Sequence, residues 1–302
     1  MMQYDFCVLR EFRYPLRIDQ FISDELGLIS RNQLKQRVRE LKINGKPVKL
    51  SRKIAPQDRV QLDLEAPRKI ELVPEEIPLD ILYEDARVIV INKPQGLVVH
   101  PAPGNYTGTL VHGLLHYREI EAPEEDFRPG IVHRLDKDTS GVLITARDQE
   151  AHEFLARQFQ EKTTCKVYFA LCRGRIEEAE GRVENRLGRS ERNRQLFTAV
   201  SRGGKTALSN YRVLRRWKQA SFVALYPATG RTHQLRVHMR GIGHPILGDP
   251  LYGSGEQDGC SLMLHAFSLE IMLPDSTMPS RFIAPLPPRF GKVIRSLSAE
   301  TD

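Results

Sequence analysis

The chain is short of several things that would narrow its class at once. It has four cysteines in 302 residues. Cys7, Cys165, Cys172 and Cys260 stand far apart or at spacings without a metal signature. This argues against a disulfide scaffold and leaves lone reduced thiols as the simplest reading. No apolar run is long enough to cross a bilayer, and no basic stretch carries the continuous apolar face that would lie on one. The opening residues, MMQYDFCVLREFRYP, put charges where a signal peptide needs an unbroken apolar stretch, so a cytoplasmic protein without a membrane partner is expected. Internal repeats and low-complexity tracts are missing. Phosphate-cradling glycine patterns are missing too, since GNYTGT has too few glycines. His112 and His116 stand four apart but lack the glutamate of the H-E-x-x-H motif. No metal and no cofactor is expected.

What the chain does have is positive charge, with a formal net charge of +7 and an isoelectric point near 9.3. That excess points to a polyanionic partner, nucleic acid before membrane. The length suits about two domains. The clearest break is EAPRKIELVPEEIP, residues 65–78, with three prolines. Proline lacks a donor and restricts its predecessor, so this segment reads as an extended linker. The expected division is a small domain at 1–66, a linker at 67–78 and a large domain at 79–302.

In the small domain, Ile18, Phe21, Ile22 and Leu26 recur at helical spacing, and Gly27 supplies a stop. A second helix is predicted from Ser30, its cap, with Gln33 as capping-box partner and Leu34, Val38 and Leu41 as its buried stripe. Arg31, Lys35 and Arg39 fall on another face, with Arg37 nearby. The Asn-Gly of KINGKPVK is a hairpin signal, and Lys46 and Lys49 carry the charge onward. DRVQLDL alternates like a strand. Two short helices, the second basic, followed by a hairpin with NGK, resemble the S4 RNA-binding domain over residues 16–64. The sequence departs from that pattern at RELKINGK, where a glycine more often precedes the strand. The resemblance implies RNA contact through Arg31, Lys35, Arg37, Arg39 and Lys46.

In the large domain, RVIVINK and KVYFALC are strand patterns, as are NYRVLRR, SFVALYP and SLMLHAFSLEIML. TLVHGLLHYR, AHEFLARQFQ and RTHQLRVHMRGIG read as helices, and GIVHRLDKDTSGVLITAR as strand, loop, strand. Strands outnumber helices without regular alternation. The expected class is therefore α+β, with a mixed, mostly antiparallel sheet in the large domain.

The loop holds the candidate chemistry. Asp136 stands between Arg134 and Lys137, close to His133, and cations beside a carboxylate favour its charged form. A charged carboxylate suits nucleophilic or base roles, though any aspartate between two cations can equally be a surface ion pair. HRLD matches part of the kinase catalytic loop, but G-x-G-x-x-G and D-F-G are absent. Asp136 and Asp138 lie too close in one loop for a glycosidase pair. His233, His238 and His244 share no clear face with an acid, so structural roles are expected for them. RVENRLGRSERNRQ carries Arg182, Arg186, Arg189, Arg192 and Arg194 and is read as an RNA-contacting insertion.

GIVHRLDKDTSGVLI resembles the signature of the pseudouridine synthases that act on internal uridines of ribosomal and transfer RNA. YEDARVIVINKPQGLVVHP, KVYFALCRG and GRTHQLRVHMRGIGHPILGDPLYG are similar to further motifs of that family, in the same order. The chain most resembles the branch that modifies large-subunit ribosomal RNA. The resemblance implies that Asp136 is the catalytic nucleophile or base, in a reaction that breaks the C1′–N1 bond and rejoins the base through C5. It implies an arginine partner for Asp136, with Arg236 the first choice and Arg231 the second. Tyr168 then stacks on the base and helps remove the C5 proton, Arg134 helps displace the target from its stack, His133, Arg231 and Lys93 lie at the substrate, and Lys93 also supports the loop. A monomer acting on RNA is expected. Two rivals stand beside this reading: an RNA N-glycosidase, and a non-catalytic RNA-binding or ribosome-assembly factor that retains the fold.

Overall fold

The computed structural model describes residues 2–9, 16–29, 31–66, 72–102, 104–117, 130–190, 193, 196–253 and 259–299. The chain divides into two compact units, 1–70 and 71–302. The segment 67–71, most of the first half of the expected linker, lies outside the described residues.

The first unit is a four-stranded antiparallel sheet covered by short helices. Its elements are β1 (Met2–Cys7), α1 (Ile18–Gln20) running into a π turn at Phe21–Glu25, α2 (Arg31–Arg37), β2 (Val38–Ile43), β3 (Lys46–Pro47) and β4 (Arg59–Leu64). The strand order is β1-β4-β2-β3. Ile18, Phe21, Ile22 and Leu34 pack onto Leu41, Ile43, Val60 and Leu62. Leu26, the last of the first apolar set, is exposed.

The second helix is shorter than its spacing predicts. It ends at Arg37, and the chain passes directly into β2, so Leu41 reaches the core from a strand. The cause is tertiary: Val38, Leu41 and Ile43 pair with Leu64, Leu62 and Val60 of β4, which satisfies backbone that a helix would have satisfied internally. A bulge after Val38 corrects the side-chain phase. Ser30 lies outside the described residues. The Asn-Gly hairpin has positive φ at both residues, 52° at Asn44 and 76° at Gly45, as a type I′ turn requires.

The second unit opens with β5 (Ile81–Glu84), β6 (Val88–Lys93), α3 (Leu110–Tyr117), β7 (Ser140–Ala146) and α4 (Gln149–Glu161). It continues with β8 (Cys165–Arg173), β9 (Glu180–Arg189), β10 (Phe197–Ala199), β11 (Lys205–Arg216), β12 (Ala220–Pro227) and α5 (Gln234–Gly241). β13 (Leu264–Met272), β14 (Pro279–Ile283) and α6 (Pro288–Ala299) complete it. Among the described residues its strands form one sheet in the order β10-β9-β11-β12-β8-β13-β7-β6-β5, with β14 also on β13. All pairs are antiparallel except β7 with β13. The class is α+β.

The sheet is sandwiched at β6 and β7, which explains their unbroken apolar runs. Val88, Val90 and Ile144 pack toward Leu155 of α4, while Ile89, Ile91 and Leu143 pack toward Leu110 and Leu114 of α3. Asp148 caps α4 by accepting from the Ala151 amide at 2.8 Å. The strand expected before the Asp136 loop is reduced to one bridge, Ile131 to Thr145.

The Arg182–Arg189 stretch is strand β9, not an insertion. Val183 and Leu187 alternate with exposed Arg182, Glu184 and Arg186, so a period of two had been hidden beneath the charge. Arg192 and Arg194 lie outside the described residues.

Gly141 is the tightest point behind the loop. Its φ is +117°, and a Cβ there would stand 2.1 Å from the Ala266 carbonyl oxygen on the parallel neighbour. Gly141→Ala is expected to destabilise the second unit by about 3 kcal/mol or more. Urea unfolding followed by the fluorescence of Trp217, the chain's one tryptophan and a buried residue of that unit, measures it. An unchanged midpoint would refute the steric argument.

Candidate active site

The Asp136 loop is held from below by the segment that follows β6. Lys93 is fully buried, and its ammonium donates to three carbonyls: Pro94 at 2.8 Å, Leu97 at 2.8 Å and Lys137 at 3.0 Å. Three donors meeting three acceptors is the complete valence of a charged amine. Burial pushes its pKa down to about 7, against the pull of Asp138 and Asp136. The Gly96 backbone amide also donates to the Lys137 carbonyl, at 2.9 Å, and the Gln95 side-chain Nε2 donates to the Asp138 carbonyl at 2.9 Å. Within the loop, the Thr139 amide closes a turn on the Asp136 carbonyl at 3.1 Å. Loop and KPQG segment thus form one hydrogen-bonded body, which fixes where the Asp136 side chain emerges.

That side chain is 20% exposed and faces Arg236 of α5, whose NH1 lies 3.5 Å from Oδ2. His233 Nε2 lies 3.9 Å from the same oxygen. No ion pair joins Asp136 to Arg134 or Lys137 among the described residues, so the cations beside it in sequence are not its partners in space. Both are exposed. Arg231 turns elsewhere, donating from Nε to the Thr206 carbonyl at 3.1 Å.

Arg236 is itself 3% exposed and is gripped by Asp249, which is wholly buried. Nε donates to Oδ2 at 2.8 Å and NH2 to Oδ1 at 2.7 Å, the two-pronged geometry of a strong arginine–carboxylate pair. Asp249 also accepts the Leu251 and Tyr252 amides, at 2.9 and 3.0 Å. The guanidinium stands 5.1 Å from the Tyr252 ring centroid. One edge of Arg236 is therefore spent on Asp249, and NH1 is left for Asp136. Gln234 fastens the start of α5 by accepting from Thr229 at 2.7 Å and from the Arg231 amide at 3.0 Å.

His233 lies beside an acid, which was not expected of it from sequence. The residue precedes α5 with left-handed backbone, φ 56° and ψ 15°, so a helical face count does not apply to it and its ring turns toward the acid. His238 and His244 hold structural contacts, to Ser209 at 3.0 Å and to the Arg173 carbonyl at 2.9 Å. Asp249 and Tyr252 were not singled out from sequence, although both lie in the quoted GHPILGDPLYG.

Asp136, Arg236 and His233 open into a cleft of about 430 Å³ that Tyr168, Arg134 and Arg231 also line. Burial, and secondarily the charge of Asp136, pushes the Tyr168 phenol well above its ordinary pKa, so it keeps its proton at neutral pH. His133 lines the wall with its polar edge turned away. Its Nε2 accepts the Ile144 amide at 3.0 Å, its ring stacks on Phe159 at 4.4 Å, and burial lowers its pKa to about 3.

The basic residues expected to touch RNA fare unevenly. Lys35, Arg39, Lys46 and Lys49 are exposed, Arg39 on β2 rather than on the helix, 3.6 Å from Glu65. Arg31 donates to the buried Asp19 at 3.0 Å, and Arg37 to the Glu65 carbonyl at 2.9 Å. On β9, Arg182 pairs with Glu184 at 2.6 Å. Arg186 donates to the Gly203 and Gly204 carbonyls, and Arg189 lies 5.3 Å from the Phe197 ring centroid.

A carboxylate on a rigid loop, a buried arginine and a phenol that keeps its proton share one cleft. Residues 87–240 match the family described as RNA pseudouridylate synthase. An uncharacterized RNA pseudouridine synthase of Bacillus subtilis is 42% identical, covering 93% of this chain and 94% of its own. The ribosomal large subunit pseudouridine synthase D of Borreliella burgdorferi is 42% identical over 94% of this chain and 91% of its own. The structure of human RNA pseudouridylate synthase domain containing 1 superposes with a TM-score of 0.57 at 29% identity, covering 78% of this chain and 98% of that one. The chain belongs to the RNA pseudouridylate synthase family and is an isomerase.

Asp249→Ala strands the Arg236 charge in a buried position. The expected cost is about 3–5 kcal/mol, the usual result of removing one partner from a buried pair. Urea unfolding read by Trp217 fluorescence checks it, and a cost below about 1 kcal/mol would show that Arg236 does not depend on Asp249.

Proposed function

We propose that this protein converts uridine to pseudouridine in large-subunit ribosomal RNA, with Asp136 as the reacting carboxylate. The observation that carries the reading is the convergence on Asp136 of Arg236 and His233 at a cleft shared with Tyr168. Support for the substrate comes from relatives named as large-subunit enzymes, among them those of Borreliella burgdorferi and, at 39% identity, Neisseria meningitidis.

The reaction breaks C1′–N1, turns the base and forms C1′–C5. It moves one proton from C5 to N1 and changes no oxidation state overall. Asp136 acts at the sugar–base junction, as nucleophile or base. Arg236 holds the carboxylate in place, since a charged group at a cleft floor needs a partner. Tyr168 offers a ring for the extruded base to stack on. Arg134, exposed at the rim, fills the gap the base leaves, which offsets part of the few kcal/mol that extrusion costs. Lys93 acts through the loop and touches no substrate.

The domains are read as an S4-like RNA-binding domain at 1–66, a linker at 67–78 and the catalytic domain at 79–302. Exposed Lys35, Arg39, Lys46 and Lys49 make the first domain the source of phosphate contacts, and hence of salt-sensitive affinity. The enzyme is placed in the cytoplasm with its RNA. No helix among the described residues is long and apolar enough to cross a membrane.

Tritium release from RNA labelled at C5 of uridine tests the chemistry, because a new bond at C5 must expel that hydrogen. Wild type is expected to release tritium from large-subunit ribosomal RNA, and Asp136→Asn to fall to background while RNA binding is kept. Release by the variant at the wild-type rate would sink the role of Asp136. Release from transfer RNA alone would move the substrate.

Deleting residues 1–66 is expected to weaken ribosomal RNA binding by about tenfold or more while the Trp217 unfolding transition persists. Equal affinity at matched salt would refute the RNA-binding assignment of that domain.

A further inference from the structure

The hydroxyl of Tyr252 stands where it can set the tautomer of His233. It accepts the Phe197 backbone amide at 2.8 Å, so its own hydrogen is free to point elsewhere. The atom it meets is His233 Nδ1, also at 2.8 Å. A neutral imidazole carries one N–H, and an Nδ1 that accepts from tyrosine leaves that hydrogen on Nε2. Burial pushes the His233 pKa down, with Asp136 working against it, so the ring is neutral and this assignment applies. The ring is also clamped edge-on between Phe197 and Tyr252, at centroid distances of 5.8 and 5.5 Å. With Tyr252 donating to Nδ1, Nε2–H points toward Asp136.

Two donors now address one oxygen. Arg236 NH1 is 3.5 Å from Oδ2 of Asp136, and His233 Nε2 is 3.9 Å from that atom. Oδ1 meets no protein donor among the described residues. The histidine distance is longer than a hydrogen bond, as is common in unliganded sites whose contacts tighten on substrate binding. His233 adopts a left-handed backbone conformation, which histidine and asparagine enter more readily than most side chains.

We propose that His233 is a positioning residue, whose Nε2–H joins Arg236 on Oδ2 of Asp136 when RNA binds and leaves Oδ1 as the oxygen presented to the nucleotide. Tyr252 belongs to the same device, one step further back, since it sets which nitrogen of His233 carries the hydrogen. This rests on Asp136 being the reacting group. The partner it serves is the ribose–base junction of the target nucleotide, where a carboxylate free to rotate would present either oxygen, each partly occupied.

Asparagine and glutamine separate this role from a merely structural one. In His233→Gln the amide nitrogen stands near the lost Nε2, whereas in His233→Asn it stands near Nδ1. A backbone role favours asparagine; donation to Asp136 favours glutamine. Single-turnover tritium release at saturating RNA is compared for wild type, both variants and Tyr252→Phe, with RNA affinity measured alongside. His233→Asn is expected to lose roughly 10- to 100-fold in rate, the effect of one hydrogen bond to a charged group, at unchanged affinity. His233→Gln recovers most of that rate. Tyr252→Phe, which frees the tautomer, loses about 3- to 10-fold.

A rate for His233→Asn within about twofold of wild type, or glutamine no better than asparagine, overturns the proposal. If either histidine variant fails to fold by Trp217 fluorescence, Tyr252→Phe decides, and an unchanged rate there overturns it. Asp136→Asn runs in the same series. A normal rate for that variant defeats the reading of Asp136 itself, whereas a dead Asp136→Asn beside normal histidine and tyrosine variants defeats the positioning role alone.

Discussion

The arrangement depends on one buried ion pair. Arg236 has almost no contact with solvent, and a guanidinium in that position is tolerable only because Asp249, wholly buried, takes two of its nitrogens. The geometry of that pair decides the rest. A guanidinium locked by Nε and NH2 cannot rotate, so NH1 faces a fixed direction, and the Asp136 loop meets it there. Asp249 in turn accepts two backbone amides from the segment carrying Tyr252. The same carboxylate thus orients the arginine and places the tyrosine that sets the His233 tautomer.

A second rigid body brings the opposite partner. Lys93 spends its whole donor set on carbonyls, including one in the Asp136 loop, and contributes no hydrogen bond to the cleft. Its buried charge makes it expensive, and the loop it anchors is where that cost is offset. Gly141 completes this support. Its positive φ lets β7 run parallel and close beside β13 immediately after the loop, so sheet, loop and KPQG segment share one frame. Asp136 and Arg236 are separated by a hundred residues of chain, yet both are held by groups that cannot shift independently.

Much of this was legible in the sequence, and the exceptions have physical causes. Alternation announced β8, and strand patterns announced β6, β7, β12 and β13. Of the two arginines, it is Arg236 that stands beside Asp136 while Arg231 turns to the Thr206 carbonyl. What failed was reasoning that stopped at chain neighbours. Arg134 and Lys137 flank Asp136 in sequence, but a tight turn points adjacent side chains apart, and both go to solvent. The helix predicted as far as Leu41 ended at Arg37 because helical and strand spacing can each bury Leu41, and only the pairing with β4 distinguishes them. His233 was set aside because helix periodicity was applied to a residue whose left-handed backbone lies outside the helix. Asp249 carries no local signal of its importance; its partner lies 13 positions away and is recognisable only once both are buried.

The half-buried phenol of Tyr168 adds a constraint on the proposed chemistry. Isomerisation takes a hydrogen from C5 and leaves one on N1, so the protein must end with as many protons as it began with. Tyr168 begins protonated, because burial disfavours its phenolate and the nearby charge of Asp136 disfavours it further. A group in that state cannot receive the C5 proton before giving up its own. Any route that uses Tyr168 as a base must therefore first move the phenolic proton toward the departing N1 or another acceptor in the cleft, and a route that does not use it so leaves the ring as a stacking surface throughout. The two cases differ in whether the phenol ever loses its proton. Rigid support on both sides of the cleft suits either case, since the base must turn through a large angle while Asp136, Arg236 and the tyrosine ring stay where they are.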